Sequence, residues 1–230
     1  DRSPSRGLGD VYKRQGYIGL PTALMLAAHG VEVIGTDYNA ALVDKLQAGI
    51  ITFSEEGLSE LFSQAVEQGI KFSHDYQVAD TYIVSVPTPY DRVSKQIDAQ
   101  YVTTAVTEVL NICPPEADII IESTISPNTI DRFVRPLIAA SEKKVNLAHA
   151  PERIIPGNMI YELIHNNRTI GADTPEVAER IKRLYSSFCQ GEIVTTDIRI
   201  AEMTKVIENT YRAVNIAFAN ELQHICHHNG

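Results

Sequence analysis

The 230-residue chain has no run of ~20 uninterrupted apolar residues, so no segment is expected to span a membrane. It has no basic excess: 20 Lys and Arg against 29 Asp and Glu give a formal net charge of −9. Nucleic-acid binders carry a basic patch. None is visible, so any phosphates handled here belong to small molecules. Cysteine is sparse. Cys113, Cys189 and Cys226 are widely separated and show no metal-ligand spacing, which points to reduced thiols in a cytoplasmic protein without a metal site. The N-terminus lacks the apolar stretch of a secretory signal. The 13 Gly and 11 Pro are spread along the chain, so no low-complexity linker is expected. What remains is average globular composition, 44% hydrophobic and 21% charged, with room for one large domain or two small ones.

Residues 1–15 do not read like the rest. They are charged, and only Leu8, Val11 and Tyr12 are large and apolar. They are set aside as a non-native leader, with an ordinary chain terminus as the alternative. From Gly16 the periodicity switches repeatedly. Helical spacing is expected over 16–30, 40–47, 58–68, 99–110, 128–140 and 175–188. Short buried strands are expected over 31–37, 81–86, 118–122, 145–148, 168–171 and 192–195. Strands alternating with helices predict an α/β fold, a doubly wound parallel sheet over 16–197, with ligands at the carboxyl ends of its strands. Residues 198–230 differ. Ile200, Met203, Ile207, Tyr211, Val214, Phe218, Leu222 and Ile225 form one helical stripe about thirty residues long, which reads as the first helix of a further domain.

Candidate sites lie at strand ends. Gly16-Tyr-Ile-Gly19 opens a helix, and Asp37 follows Gly19 by eighteen residues at the end of a strand. This is the back half of a dinucleotide fingerprint. Gly16 would admit a pyrophosphate, the N–H groups of Tyr17 and Ile18 would face it, and Gly19 would permit close helix–strand packing. Asp37 would accept from ribose hydroxyls and repel a 2′-phosphate, favouring NAD over NADP. The first glycine of the fingerprint is replaced by Arg14, so a plain glycine-rich turn is the alternative. Val86-Pro-Thr-Pro89 stops the next strand, and Thr88 could meet a cofactor or simply end the ladder. Ser123-Thr124 ends another strand, where Ser126 or Asn128 would also serve as a helix cap. Glu152 and Arg153 follow a strand at the same edge, as site residues or as a surface pair. Lys205, Asn209 and Arg212 share one face of the long helix, about 200° from the apolar stripe. The apolar side is therefore expected to pack and the Lys205 side to be presented outward. Cys226 reads as a buried cysteine.

Several of these segments in one order resemble the UDP-glucose/GDP-mannose dehydrogenase family. They are Gly16-Tyr-Ile-Gly-Leu-Pro-Thr-Ala23, Val86-Pro-Thr-Pro89, Glu122-Ser-Thr124, Ala150-Pro-Glu-Arg153, Glu162-Leu-Ile164, Ala201-Glu-Met-Thr-Lys205, Ile207-Glu-Asn209 and Asn215-Ile-Ala-Phe-Ala-Asn-Glu221. The resemblance covers 16–230 and implies an NAD-dependent oxidation of a UDP-sugar C6 alcohol to a carboxylate, in two hydride transfers through a cysteine thioester. Glu162-Leu-Ile and Asn215-Ile-Ala-Phe favour a UDP-N-acetylhexosamine substrate, UDP-N-acetyl-D-mannosamine above all, for surface polysaccharide precursors. By resemblance Tyr17, Ile18, Asp37, Thr88 and Thr124 would contact NAD. Glu152, Arg153 and Ile154 would meet substrate, with Glu152 as acid/base or as a water-positioning group in hydrolysis. Lys205 would stabilise an oxyanion or act in proton transfer, Asn209 would support it, both would touch substrate, and Arg212 would hold it. A homodimer through the central domain is implied. The departures are the missing first strand, Asn128 where the family often has glycine, and a catalytic cysteine that belongs beyond Gly230, which would leave this piece inactive. A two-electron hydroxyacid dehydrogenase and a non-catalytic dinucleotide-binding module stay open as other readings.

Overall fold

A computed structural model describes residues 19–91, 93, 96–152, 154 and 157–229. The expectations placed on the leader 1–15, Gly16, Tyr17, Ile18 and Arg153 lie outside the described residues. Helix α1 (Gly19–Ala28) leads through strand β1 (Ile34–Thr36) to α2 (Ala40–Gln47) and α3 (Leu58–Glu67). Strands β2 (Lys71–Ser73) and β3 (Thr81–Val84) follow, then a small hairpin, β4 (Tyr90–Asp91) and β5 (Gln96–Ile97). Helix α4 (Gln100–Ile112) and β6 (Asp118–Ile121) precede a π-helical turn, Ile130–Val134, that continues into α5 (Arg135–Ser141). The chain then forms β7 (Asn146–His149), α6 (Met159–His165), β8 (Arg168–Ala172), α7 (Pro175–Tyr185), β9 (Ile193–Thr196) and α8 (Ile198–Asn229). β2, the hairpin and α6 were not expected from the sequence. Three or fewer residues per strand, and seven per helix, are too short to show a period.

The main sheet has the order β3-β6-β7-β8-β9, and β1 pairs with β2 in a separate parallel ribbon. β6 explains the layering. Its residues Asp118-Ile-Ile-Ile121 are buried on both faces, as a strand covered by helices on both sides must be. Ile120 points into a core built with α1, α3 and α7. Ile119 and Ile121 point into the opposite core, with α4 and Val134. Each fully buried isoleucine contributes ~1.5–3 kcal/mol. Thr174 caps α7 by accepting from the Val177 N–H, with Pro175 in the first turn.

Two strands, β8 and β9, run against expectation. β3, β6 and β7 are parallel, but β8 pairs antiparallel with β7, with Ala148 opposite Ala172 and His149 opposite Gly171. A parallel return needs a crossover of a dozen or more residues along the sheet. Here the connection, residues 150–167 with the short helix α6, does not run back along the sheet. The chain turns back at the carboxyl edge, so Arg168 starts β8 beside the residues that follow β7.

The long helix also differs from expectation. α8 is 32 residues long, about 48 Å at 1.5 Å per residue. Its buried face is Ile198, Ala201, Glu202 and Lys205, and the apolar stripe is outside: Ile200 is 52% exposed and Met203 45%. The expected packing side and presented side are thus reversed. The reason is local. β8 passes so close that a Cβ on Gly171 would lie 2.8 Å from the Ala201 Cβ and 2.7 Å from the Ile198 Cα, so only a small residue such as Ala201 fits there. Ile207, Tyr211, Val214, Phe218, Leu222 and Ile225 are exposed further along. Cys226 is exposed too, while Cys113 and Cys189 are buried, which corrects the reading of Cys226. Among the described residues no helix is long and apolar enough to cross a membrane.

Candidate active site

The carboxyl ends of β3, β6 and β7 converge. After β3 the chain turns at Ser85–Pro89, and after β6 at Glu122–Thr124. The two turns are tied together. Ser123 Oγ accepts from the Val86 N–H at 2.7 Å and donates to the Val86 carbonyl at 2.7 Å. Thr88 Oγ1 donates to the Thr124 carbonyl at 2.6 Å. The two threonines singled out from sequence are therefore direct neighbours. Gly19 abuts this edge, where a Cβ would stand 3.2 Å from Ser85 Cβ. The backbone of α1 can approach β3 only because no side chain intervenes.

Asp37 lies past β1 and lines a cleft of about 630 Å³ with Gly19, Gly35, Tyr76 and Val86. Its Oδ1 accepts from the Asn39 N–H at 2.7 Å. Burial raises its pKa, and the Asn39 hydrogen bond opposes the rise. A carboxylate held at the rim of a cleft that begins at a glycine-opened helix fits a dinucleotide ribose.

After β7 come Ala150, Pro151 and Glu152. Glu152 is 5% exposed, so its carboxylate is not a surface group. Its Oε2 accepts from the Ile154 N–H at 2.5 Å. The Lys205 ammonium, 8% exposed, donates to the Glu152 main-chain carbonyl. α8 and the β7 turn thus meet at two of the residues read as catalytic, Lys205 and Glu152. Ile154 packs its side chain against the apolar core. Asn209, one turn beyond Lys205, is exposed. Arg212 lines a separate cleft of about 860 Å³ with Glu162, His165, Asn167, Glu208 and Tyr211. Lys205 and Glu152 are brought together, whereas Arg212 faces the α6 side.

Beneath this edge is a buried hub that residue-by-residue reading missed. Glu122 Oε1 accepts from Thr22 Oγ1 at 3.2 Å, Arg168 Nη1 at 3.2 Å and Tyr185 Oη at 3.3 Å. The Arg168 guanidinium also stacks 4.3 Å over the Tyr185 ring. Burial raises the Glu122 pKa, and the Arg168 charge opposes this. Burial likewise lifts the Tyr185 phenol well above its usual range, helped by the Glu122 charge. On the next strand His149 Nδ1 donates to the Ile121 carbonyl at 2.7 Å, and burial lowers its pKa to about 4. Glu122 stood in the Glu-Ser-Thr segment, but no spacing signalled that residues 22, 168 and 185 would meet it.

Two family profiles match the chain. Residues 14–189 match the NAD binding domain of the UDP-glucose/GDP-mannose dehydrogenase family, and 199–230 match its central domain. The chain belongs to the UDP-glucose/GDP-mannose dehydrogenase family. It is 42% identical over 215 residues to the UDP-N-acetyl-D-mannosamine dehydrogenase of Methanococcus maripaludis, covering 92% of this chain and 49% of that protein. It is 39% identical to an NDP-N-acetyl-D-galactosaminuronic acid dehydrogenase of Ralstonia nicotianae, covering 92% and 52%. The solved UDP-N-acetyl-mannosamine dehydrogenase of Staphylococcus aureus superposes with a TM-score of 0.84 at 45% identity, covering 92% of this chain and 53% of that one. The chain thus spans about half the length of these members of the UDP-glucose/GDP-mannose dehydrogenase family. NAD is the cofactor of the matched domain.

Proposed function

We propose that the chain is the N-terminal half of an NAD-dependent UDP-sugar 6-dehydrogenase. Its substrate is a UDP-N-acetylhexosamine, UDP-N-acetyl-D-mannosamine above all, whose C6 alcohol becomes a carboxylate. The observation that carries this reading is the contact between Lys205 and the Glu152 carbonyl, beside the tied turns that bear Thr88 and Thr124. When bound, NAD supplies the hydride acceptor. Asp37 would hold its ribose and exclude a 2′-phosphate, and Thr88 and Thr124 would contact it. The Lys205 ammonium, largely removed from water, stabilises charge on the C6 oxygen. Glu152 serves as acid/base or positions water in the hydrolytic step, and Asn209 supports the lysine. Arg153 and Arg212 bind the substrate's anionic end, and the Ile154 backbone borders it.

Residues 16–197 form the NAD-binding unit, and 198–230 the first helix of a central unit. The exposed stripe of α8 is covered by the rest of that unit and by a second copy in a homodimer. The nucleophilic cysteine belongs to the other half, so the 230 residues alone are inactive, and the enzyme works in the cytoplasm. The test is purified full-length protein with NAD and UDP-N-acetyl-D-mannosamine. Two NADH per sugar are expected from the parent and none from the 230-residue chain. One NADH per sugar would favour a two-electron dehydrogenase and overturn the reading.

A further inference from the structure

Asn128 has φ 71°, a left-handed conformation unusual for a side-chain-bearing residue. It sits where the loop after β6 enters the π-helical turn. That backbone geometry aims two N–H groups at one point, and the point is occupied by a carboxylate from far along the chain. Glu202 Oε2 accepts from the Asn128 N–H at 2.6 Å, and Oε1 from the Ile130 N–H at 2.9 Å. Glu202 is 1% exposed. The expected caps do not do this work: no side chain of the loop caps the helix, and the Ser126 carbonyl instead accepts from Thr129 Oγ1. The adjacent Asp131 is paired with Arg135 at 2.7 Å and with Arg199, in the first turn of α8, at 2.7 Å.

Glu202 precedes Lys205 by three residues, so both lie on the buried face of α8. One end of the loop 122–130 is tied by Thr88 to the Thr124 carbonyl. The other end is tied by Glu202 to the helix that carries Lys205 on the Glu152 carbonyl. The hydrogen bonds form a closed frame around the carboxyl edge.

We infer that Glu202 is a positioning residue: it fixes the cofactor-side loop 123–130 against α8 and so sets where Lys205 stands relative to the nicotinamide. This rests on NAD lying along that edge. An ordinary cap would stabilise α5 alone. A positioning carboxylate couples two segments more than seventy residues apart in sequence. The conservative probe is Glu202→Gln, which keeps the shape but sets an NH₂ group against one of the two N–H donors. The control is Arg199→Ala, which severs the neighbouring ion pair on the same turn.

The experiment is hydrogen exchange on the 230-residue chain, read over 123–131 and 198–206, together with calorimetric titration of NAD. In the wild type, both segments are expected to open as one unit, with the same opening free energy across a denaturant series. Segments that open independently would overturn the inference without any variant. Glu202→Gln should speed exchange in both segments and weaken NAD binding about tenfold, the worth of one lost capping interaction. Arg199→Ala should leave NAD affinity unchanged. A folded Glu202→Gln that exchanges and binds NAD like the wild type overturns the inference, as does an equal loss of affinity in both variants. A wild-type chain that binds no NAD would fail the cofactor reading, and the exchange result would still decide the coupling.

Discussion

Arg168 donates to Glu122 Oε1 at 3.2 Å, with 5% of the arginine side chain and none of the glutamate exposed. The pair exists because β8 runs antiparallel to β7 and so begins at the carboxyl edge. Thr22 of α1 and Tyr185 of α7 join the same oxygen. The carboxylate therefore links the helix that opens the dinucleotide cleft to both halves of the sheet.

Removing one member of such a pair leaves a buried charge without its partner. Glu122→Ala is expected to destabilise the chain by about 3–5 kcal/mol. Replacing the pair together, as Glu122→Leu with Arg168→Met, should cost much less, because well-packed apolar residues often substitute for a buried ion pair. Urea unfolding of the single and double variants measures the difference. A Glu122→Ala chain as stable as the wild type would show that the pair contributes nothing.

His149 makes stability depend on pH. Burial holds its folded pKa at about 4, below the ordinary 6.5 of a histidine in water. Between those values the unfolded chain binds the extra proton, so unfolding free energy rises with pH. The contribution is complete above pH 6.5 and is lost as pH falls toward 4, up to about 3 kcal/mol. Glu122 acts with the opposite sign. Its raised pKa favours the protonated folded form, so its contribution fades as pH rises above 4.5. Denaturant titrations at pH 4.5 and 7 should show the acid loss in the wild type and a smaller one in His149→Gln. Equal losses in both proteins would remove His149 as the cause.

Asp37 is expected to set cofactor choice. The wild-type chain should bind NAD more tightly than NADP, because a half-buried carboxylate repels a 2′-phosphate. Asp37→Ala should weaken NAD and narrow the gap. Calorimetric titration with both nucleotides checks this. An unchanged ratio in the variant would assign the preference elsewhere.

Lys205 packs as well as standing at the proposed site, since it is buried and its ammonium is bonded to the Glu152 carbonyl. Lys205→Ala should lose stability as well as rate, so Lys205→Met, which keeps the stem, is the better probe. In the full-length protein its loss should lower kcat by about 10²–10³, with a smaller change in KM. Steady-state kinetics with circular dichroism as a folding control decides it. Near-parental kcat in a folded Lys205→Met would remove the ammonium from the mechanism.

Much of the sheet was legible because a strand buried on both faces, such as Asp118-Ile-Ile-Ile121, has no other reading between two helical periods. The positions of Asp37, Thr88, Thr124 and Glu152 followed from the same fact, since each stands just past a strand. The apolar stripe of α8 was legible as a helix but not as a face. Periodicity reports that one side is apolar, not whether a neighbour covers it.

The sequence by itself determined the alternation of strands and helices, and the row of polar residues at the strand ends. Only the tertiary structure decided the antiparallel entry of β8, the meeting of residues 22, 122, 168 and 185, and the turning of Glu202 and Lys205 inward. Local periodicity arises from neighbours a few residues apart. These three features depend on backbones that approach across the fold: Gly171 lets α8 come close only on its small-residue side, and the buried face that results carries the carboxylate and the ammonium to the groups they bond.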